Sequence, residues 1–267
     1  MNVIDRNNVH VMGAERGRPM VMAHGFGCDQ SMWRYLVPAF EADYRIVLFD
    51  YVGHGGADAA AFDPQRYGSL DGYAQDVLEI CRQLQLEDIV FVGHSVSAMI
   101  GMLAALSEPA RFDQLIMIGP SPCYVDDDGY RGGFTRAQLE ELLAFLDENP
   151  LGWSQAMAPT IMGNGERPEL AAELESSFCR TDPRVAKAFA RVTFLSDNRA
   201  DLPHVRTPVL ILQCSSDVIA CEDVGRYMHR ELANSTFVQL HATGHCPHMS
   251  APSETIAAMR AFLADHV

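Results

Sequence analysis

The sequence predicts an α/β fold: a mostly parallel sheet flanked by helices, with an inserted helical cap. Three observations carry that expectation. Short apolar, β-branched runs alternate with stretches of helical periodicity, the pattern of a parallel sheet. A serine stands at a sharp strand-to-helix turn. Residues 120–207 separate two of the strands by far more chain than one crossover helix requires.

Taken in chain order, Pro19–Ala23 reads as a strand running into His24-Gly25-Phe26-Gly27. Arg45–Phe49 is a second, ending at Asp50 and the loop Gly53-His54-Gly55-Gly56, which is expected to border the site. Tyr73, Val77, Ile80, Cys81 and Leu84 recur at helical spacing. Ile89–Val92 is a third strand, followed by Gly93-His94-Ser95-Val96-Ser97 and a helix-compatible run, Ala98–Leu106. Leu115–Gly119 is a fourth. In the long segment after it, Thr135-x-x-Gln138 forms a capping box and Asp182-Pro183 an N-cap with proline at the first helical position. With 151–162 and 168–179 this gives four helices, a cap over the serine. Pro208–Gln213 and Thr236–Leu240 are two further strands, followed by the loops Cys214-Ser215-Ser216-Asp217 and His241–His248. The expected division is a core of residues 1–119 and 208–267 with a cap at 120–207.

A serine at such a turn is held with its hydroxyl clear of the sheet, beside a helix N-terminus. It becomes a nucleophile only when a base takes its proton and an acid orients that base. Asp217, at a strand's carboxyl end, supplies the acid. The base is one of His241, His245 and His248; Gly244 lets the chain bend just before His245, which is therefore best placed to reach Ser95. The His-Gly loop supplies backbone donors for a developing oxyanion, assigned to the amides of Phe26 and Val96. Phe26, His94, Phe134, Trp153, Phe189 and Phe194 are the candidate lining of an apolar substrate pocket. Ser95, then Asp217, then His245, each after its own strand, is the order of the α/β-hydrolases and of neither the chymotrypsin nor the subtilisin type.

The net charge of −15 argues against nucleic acid and anionic membrane as partners. Seven scattered cysteines fit a reducing compartment. No apolar run approaches membrane-spanning length, and no charged segment leads into one at the start, so a cytoplasmic protein is expected. His241, His245, Cys246 and His248 are possible metal ligands, but Gly244 and Pro247 break the helix that would gather them. No metal and no cofactor is expected.

Several segments extend beyond the triad: Gly93-His94-Ser95-Val96, Gly119-Pro120-Ser121-Pro122-Cys123-Tyr124, Gly132-Gly133-Phe134, Phe178-Cys179-Arg180-Thr181-Asp182-Pro183 and Gly244-His245-Cys246-Pro247-His248-Met249-Ser250. Together they resemble the RsbQ-type α/β-hydrolases of bacterial stress signalling, which are similar in turn to the plant strigolactone and karrikin receptor hydrolases. The resemblance implies nucleophile, acid and base at Ser95, Asp217 and His245. It also implies a small apolar ester or lactone as ligand, and a PAS-domain phosphatase or other signalling protein as partner. Ser97 departs from the glycine of the RsbQ type and matches the serine of the plant receptors. A metabolic carboxylesterase or lactonase without a partner is the alternative.

Overall fold

The computed structural model describes residues 2–265. Among them a seven-stranded sheet has the order β1-β3-β2-β4-β5-β6-β7. The strands are β1 (His10–Gly13), β2 (Arg18–Ala23), β3 (Tyr44–Phe49), β4 (Ile89–His94), β5 (Phe112–Ile118), β6 (Val209–Ser216) and β7 (Ser235–Thr243). All neighbours are parallel except β1, which runs antiparallel to β3.

Burial follows from this topology. Parallel strands are covered on both faces, and every residue of the central β4 is buried. Alternate side chains then fill two cores. Met20, Met22, Val90, Val92, Ile116, Ile118, Leu210 and Leu212 point to one; Val21, Ala23, Ile89, Phe91, Leu115, Met117, Val209 and Ile211 point to the other. The second core is completed by α3 (Leu70–Gln83), α4 (Val96–Ser107) and α9 (Glu222–Glu231). The first is completed by α2 (Val37–Phe40), α11 (Pro252–Ala264) and the cap. Two single-turn helices, α1 (Val3–Arg6) and α10 (Pro247–Ser250), finish the frame.

The cap lies between β5 and β6. It comprises α5 (Arg136–Glu148), α6 (Pro150–Met162), α7 (Pro168–Arg180) and α8 (Pro183–Phe194). The capping box at Thr135 and Gln138 forms, and Asp182 caps α8 through the amides of Arg184 and Val185. Each of α6, α7 and α8 opens with proline in its first turn, where the missing N–H costs nothing.

Three expectations need correction. Cys214, Ser215 and Ser216 belong to β6, and His241 to β7, because those strands keep pairing across a register shift between Cys214 and Ser216. The Gly53–Gly56 loop lines neither cavity described below; it docks the cap, with Gly53 against Val185 and its carbonyl accepting from the Asp182 amide at 3.0 Å. The antiparallel β1 has no counterpart in the sequence reading, for its four residues are all exposed and carry no apolar alternation.

The approach of α4 to β4 is tightest at Gly93. A Cβ there would stand 2.5 Å from the Ser97 carbonyl oxygen and 2.7 Å from the Ala98 nitrogen, both backbone atoms. Gly93→Ala is therefore expected to destabilise the fold by about 1–3 kcal/mol through overpacking. A urea-denaturation midpoint equal to wild type would contradict this contact.

Candidate active site

Ser95 is the hinge between β4 and α4. Its φ of 57° and ψ of −122° place a non-glycine residue in a region that L-residues rarely adopt. The amide of Ser95 donates to the Ile118 carbonyl at 2.8 Å, fixing the turn to the next strand. The hydroxyl is thereby presented above the carboxyl edge of the sheet, with 5% of the residue exposed.

Two loops deliver its partners. His245 Nε2 accepts from Ser95 Oγ at 2.8 Å, and His245 Nδ1 donates to Asp217 Oδ2 at 2.7 Å. The other oxygen of Asp217 accepts from the amides of Ile219 and Ala220 at 2.8 and 3.1 Å. That leaves the carboxylate one orientation. Of the other two candidate bases, His241 is exposed on β7, and His248 is buried against the rings of Trp33 and His94. Neither touches Ser95. Gly119, at φ +58°, leaves space for the His245 ring: a Cβ there would sit 3.2 Å from His245 Cε1.

The His24–Gly27 loop closes the other side. The Gly25 carbonyl accepts from the Cys28 amide at 3.2 Å in a turn with Gly27 at φ +68°. The amides of Phe26 and Val96 have no hydrogen-bond partner among the described residues. Ser97 ties this loop to the elbow: its hydroxyl donates to the His24 carbonyl and pairs with Tyr51 Oη at 2.8 Å. The serine side chain thus fills a place between helix and strand with two hydrogen bonds.

His94 is buried directly before Ser95. It reaches a wall of the cavity, and its Nε2–H donates to the carbonyl of His245 at 2.8 Å. Its Nδ1 faces Gly25, where a Cβ would lie only 2.4 Å away.

Two cavities meet at Phe26 and Phe178. The inner one, about 30 Å³, is lined by Ser95, His245, Phe26, Tyr124, Phe194 and apolar cap residues. The outer one, about 240 Å³, lies between Phe26, Trp153, Phe178 and the start of α8. Of the candidate pocket residues, Phe26, His94, Trp153 and Phe194 line one cavity or the other. Phe134 and Phe189 line neither. Phe189 points down into the sheet-side core, stacked on Tyr73 with ring centroids 4.4 Å apart. Phe134 lies at the cap's margin, its amide donating to the Tyr124 carbonyl. The sequence reading omits Tyr124, Ile161, Leu174, Phe178, Thr193 and Ile219 from the inner lining. For Phe178 a helical face shared with Leu170 and Leu174 was the available signal; the others depend on helix rotation. Tyr124 Oη and Thr193 Oγ1 are buried there, and Thr193 Oγ1 has no hydrogen-bond partner among the described residues. Burial pushes the Tyr124 phenol up to about 12, with the Ser95 hydroxyl opposing.

Residues 20–259 match the Alpha/beta hydrolase family. The chain belongs to that family. This α/β-hydrolase is 36% identical to the "Strigolactone esterase D14" of Arabidopsis thaliana, over 97% of each chain. It is 36% identical to the "Karrikin insensitive 2 receptor CA" of Petunia hybrida, over 95% of this chain and 94% of that one. Among solved structures, olei00960, a hydrolase from Oleispira antarctica, superposes with a TM-score of 0.95 at 42% identity, over 98% of this chain and 96% of that one. The chain is an α/β-fold hydrolase related to these proteins. Among the described residues no three His, Cys, Asp or Glu side chains form a group able to hold a metal ion. No helix among them is long and apolar enough to cross a membrane.

Besides His245, four histidines of this α/β-hydrolase are buried among the described residues. Burial lowers His24 and His94, and lowers His54 and His248 to about 3. Each stays neutral when folded and takes up a proton when unfolded below its ordinary value, so stability is present near neutrality and is lost as pH falls. For His54 and His248 the loss runs from about 6.5 down to about 3. Between pH 6.5 and 5.5 each of these two histidines is expected to remove about 1 kcal/mol. Denaturant titrations across that interval test this; unchanged stability would contradict neutral burial.

Proposed function

We propose that this hydrolase cleaves a small apolar ester or lactone through a Ser95–His245–Asp217 triad. The observation that supports this most directly is the unbroken chain of hydrogen bonds from Asp217 through His245 to Ser95, at 2.7 and 2.8 Å. In this reading Ser95 Oγ bonds to the substrate carbonyl carbon while its proton passes to His245 Nε2. The amides of Phe26 and Val96 stabilise the oxyanion. The carbon–oxygen bond to the leaving group then breaks, and His245 returns the proton to that oxygen. A water molecule, deprotonated by His245, releases the acid and regenerates Ser95.

The ligand class rests on the apolar walls and on the relatives, one of which is named a strigolactone esterase. The inner cavity at Ser95 is narrow, about 30 Å³, and is walled by the cap rings of Phe178 and Phe194 together with Phe26. In this reading the cap, residues 120–207, acts as a lid whose rings yield when a larger acyl group enters. Such gating suits a slow, ligand-sensing hydrolase of the cytoplasm, in the manner of the RsbQ-type stress regulators, coupled to a PAS-domain phosphatase or another signalling protein. A metabolic carboxylesterase or lactonase is the second reading, favoured by the fully assembled hydrogen-bond chain at Ser95.

Stopped-flow hydrolysis of an activated aryl acetate separates the two. The signalling role predicts a stoichiometric burst followed by turnover far below the roughly 10 s⁻¹ typical of enzymes. Rapid steady turnover would favour the metabolic role. Ser95→Ala is expected to abolish both phases while leaving thermal unfolding intact, and residual turnover in that variant would overturn the triad.

A further inference from the structure

The loop that carries His245 is held by the cap as well as by the core. Its amide donates to the carbonyl of Ile161, in the last turn of α6, at 2.8 Å. One residue earlier, Gly244 sits at φ +81° directly beneath that helix end: a Cβ there would stand 1.9 Å from the Met162 carbonyl oxygen. Gly163, which ends α6 at φ +63°, faces it, and a Cβ on Gly163 would lie 3.0 Å from the Gly244 Cα. Two glycines in left-handed conformations thus allow two backbones to meet.

Side chains of the α6–α7 connection close this contact. Asn164 Nδ2 donates to the Met162 carbonyl at 2.7 Å and across the interface to the Thr243 carbonyl at 3.1 Å. Its Oδ1 accepts from Arg167 Nη2 at 2.6 Å, and Arg167 Nη1 reaches the Ser250 carbonyl at 2.7 Å. The two side chains bracket the segment from Thr243 to Ser250, with His245 inside it.

We propose that Asn164 and Arg167 are positioning residues that make the cap set the alignment of His245 toward Ser95. This rests on the reading of His245 as the base. The end of α6 is bonded to the amide of His245, while Asn164 and Arg167 tie that same end to both flanks of the base loop. A shift of the α6–α7 connection must then move the imidazole or break these hydrogen bonds. Acyl transfer is sensitive to such movement, since misplacing a reacting group by about 1 Å costs on the order of 100-fold in rate.

The test compares Asn164→Asp, Arg167→Ala, Arg167→Lys and His245→Asn by steady-state hydrolysis of an aryl acetate, with melting temperatures measured on each. Asn164→Asp keeps the acceptor for Arg167 and removes both donations to backbone carbonyls; Arg167→Lys keeps a donor for Ser250. Asn164→Asp and Arg167→Ala are expected to lower kcat about tenfold or more with KM changed less than about threefold. Arg167→Lys should restore about half of the lost rate, and the downfield proton signal of the His245–Asp217 hydrogen bond should move in Asn164→Asp. A wild-type kcat in Asn164→Asp and Arg167→Ala, with His245→Asn inactive, would overturn the positioning role. So would a kcat loss that follows melting temperature alone, with Arg167→Lys no better than Arg167→Ala. Full activity in His245→Asn would instead overturn the reading of the base.

Discussion

The site depends on one strained residue. With Ser95 at φ 57° and ψ −122°, the chain turns from β4 into α4 within a single position. Such a conformation costs of order 1–3 kcal/mol and persists only where its surroundings over-determine it. Here those surroundings are the fully buried β4, the hydrogen bond from the Ser95 amide to Ile118, and the contact of Gly93 with the first turn of α4. Because the turn lies at the carboxyl edge of a parallel sheet, the loops after β2, β5, β6 and β7 all open toward the same hydroxyl. The His24–Gly27 loop, Gly119, Asp217 and His245 arrive on those four loops.

Burial then controls charge around His245. His94 and His248 remain neutral because desolvation disfavours their protonated forms. This matters since the His94 ring lies 5.0 Å from that of His245. A second positive charge at that distance would oppose an imidazolium at His245 in the proposed acyl transfer, and in a site of low dielectric it would do so strongly. Neutral His94 instead donates its Nε2–H to the His245 backbone, while the Asp217 carboxyl group pairs with the His245 ring. Structural and electrostatic tasks are thereby divided between neighbouring side chains.

The sheet and the meeting of Ser95, His245 and Asp217 were legible because local pattern determines both. Buried parallel strands are short apolar runs, and the site residues lie within a few positions of their carboxyl ends, so strand detection also places these three side chains. Two of the cap helices were legible from the Thr135 capping box and the Asp182-Pro183 N-cap, and the segments 151–162 and 168–179 between them read as the other two. What local pattern does not contain is side-chain direction. Phe189 and Phe194 lie on one amphipathic helix, yet Phe189 turns toward Tyr73 in the sheet-side core and Phe194 toward Tyr124 and the cavity. The same limit conceals the link between α6 and the base loop, since Ile161 and His245 meet only through tertiary packing. Exposed edges were also silent: β1 has no buried face to impose alternation, and β7 continues past Leu240 through pairing with β6.

Acyl transfer through Ser95 is tested most directly by identifying the atom that becomes acylated. The protein is mixed with an activated aryl acetate, quenched with acid within the first turnover, digested, and mapped by mass spectrometry. The predicted result is a single acetyl group on the peptide containing Ser95, localised to that serine by fragmentation. An acetyl group on a cysteine or another serine, or none at any time before product accumulates, would contradict it.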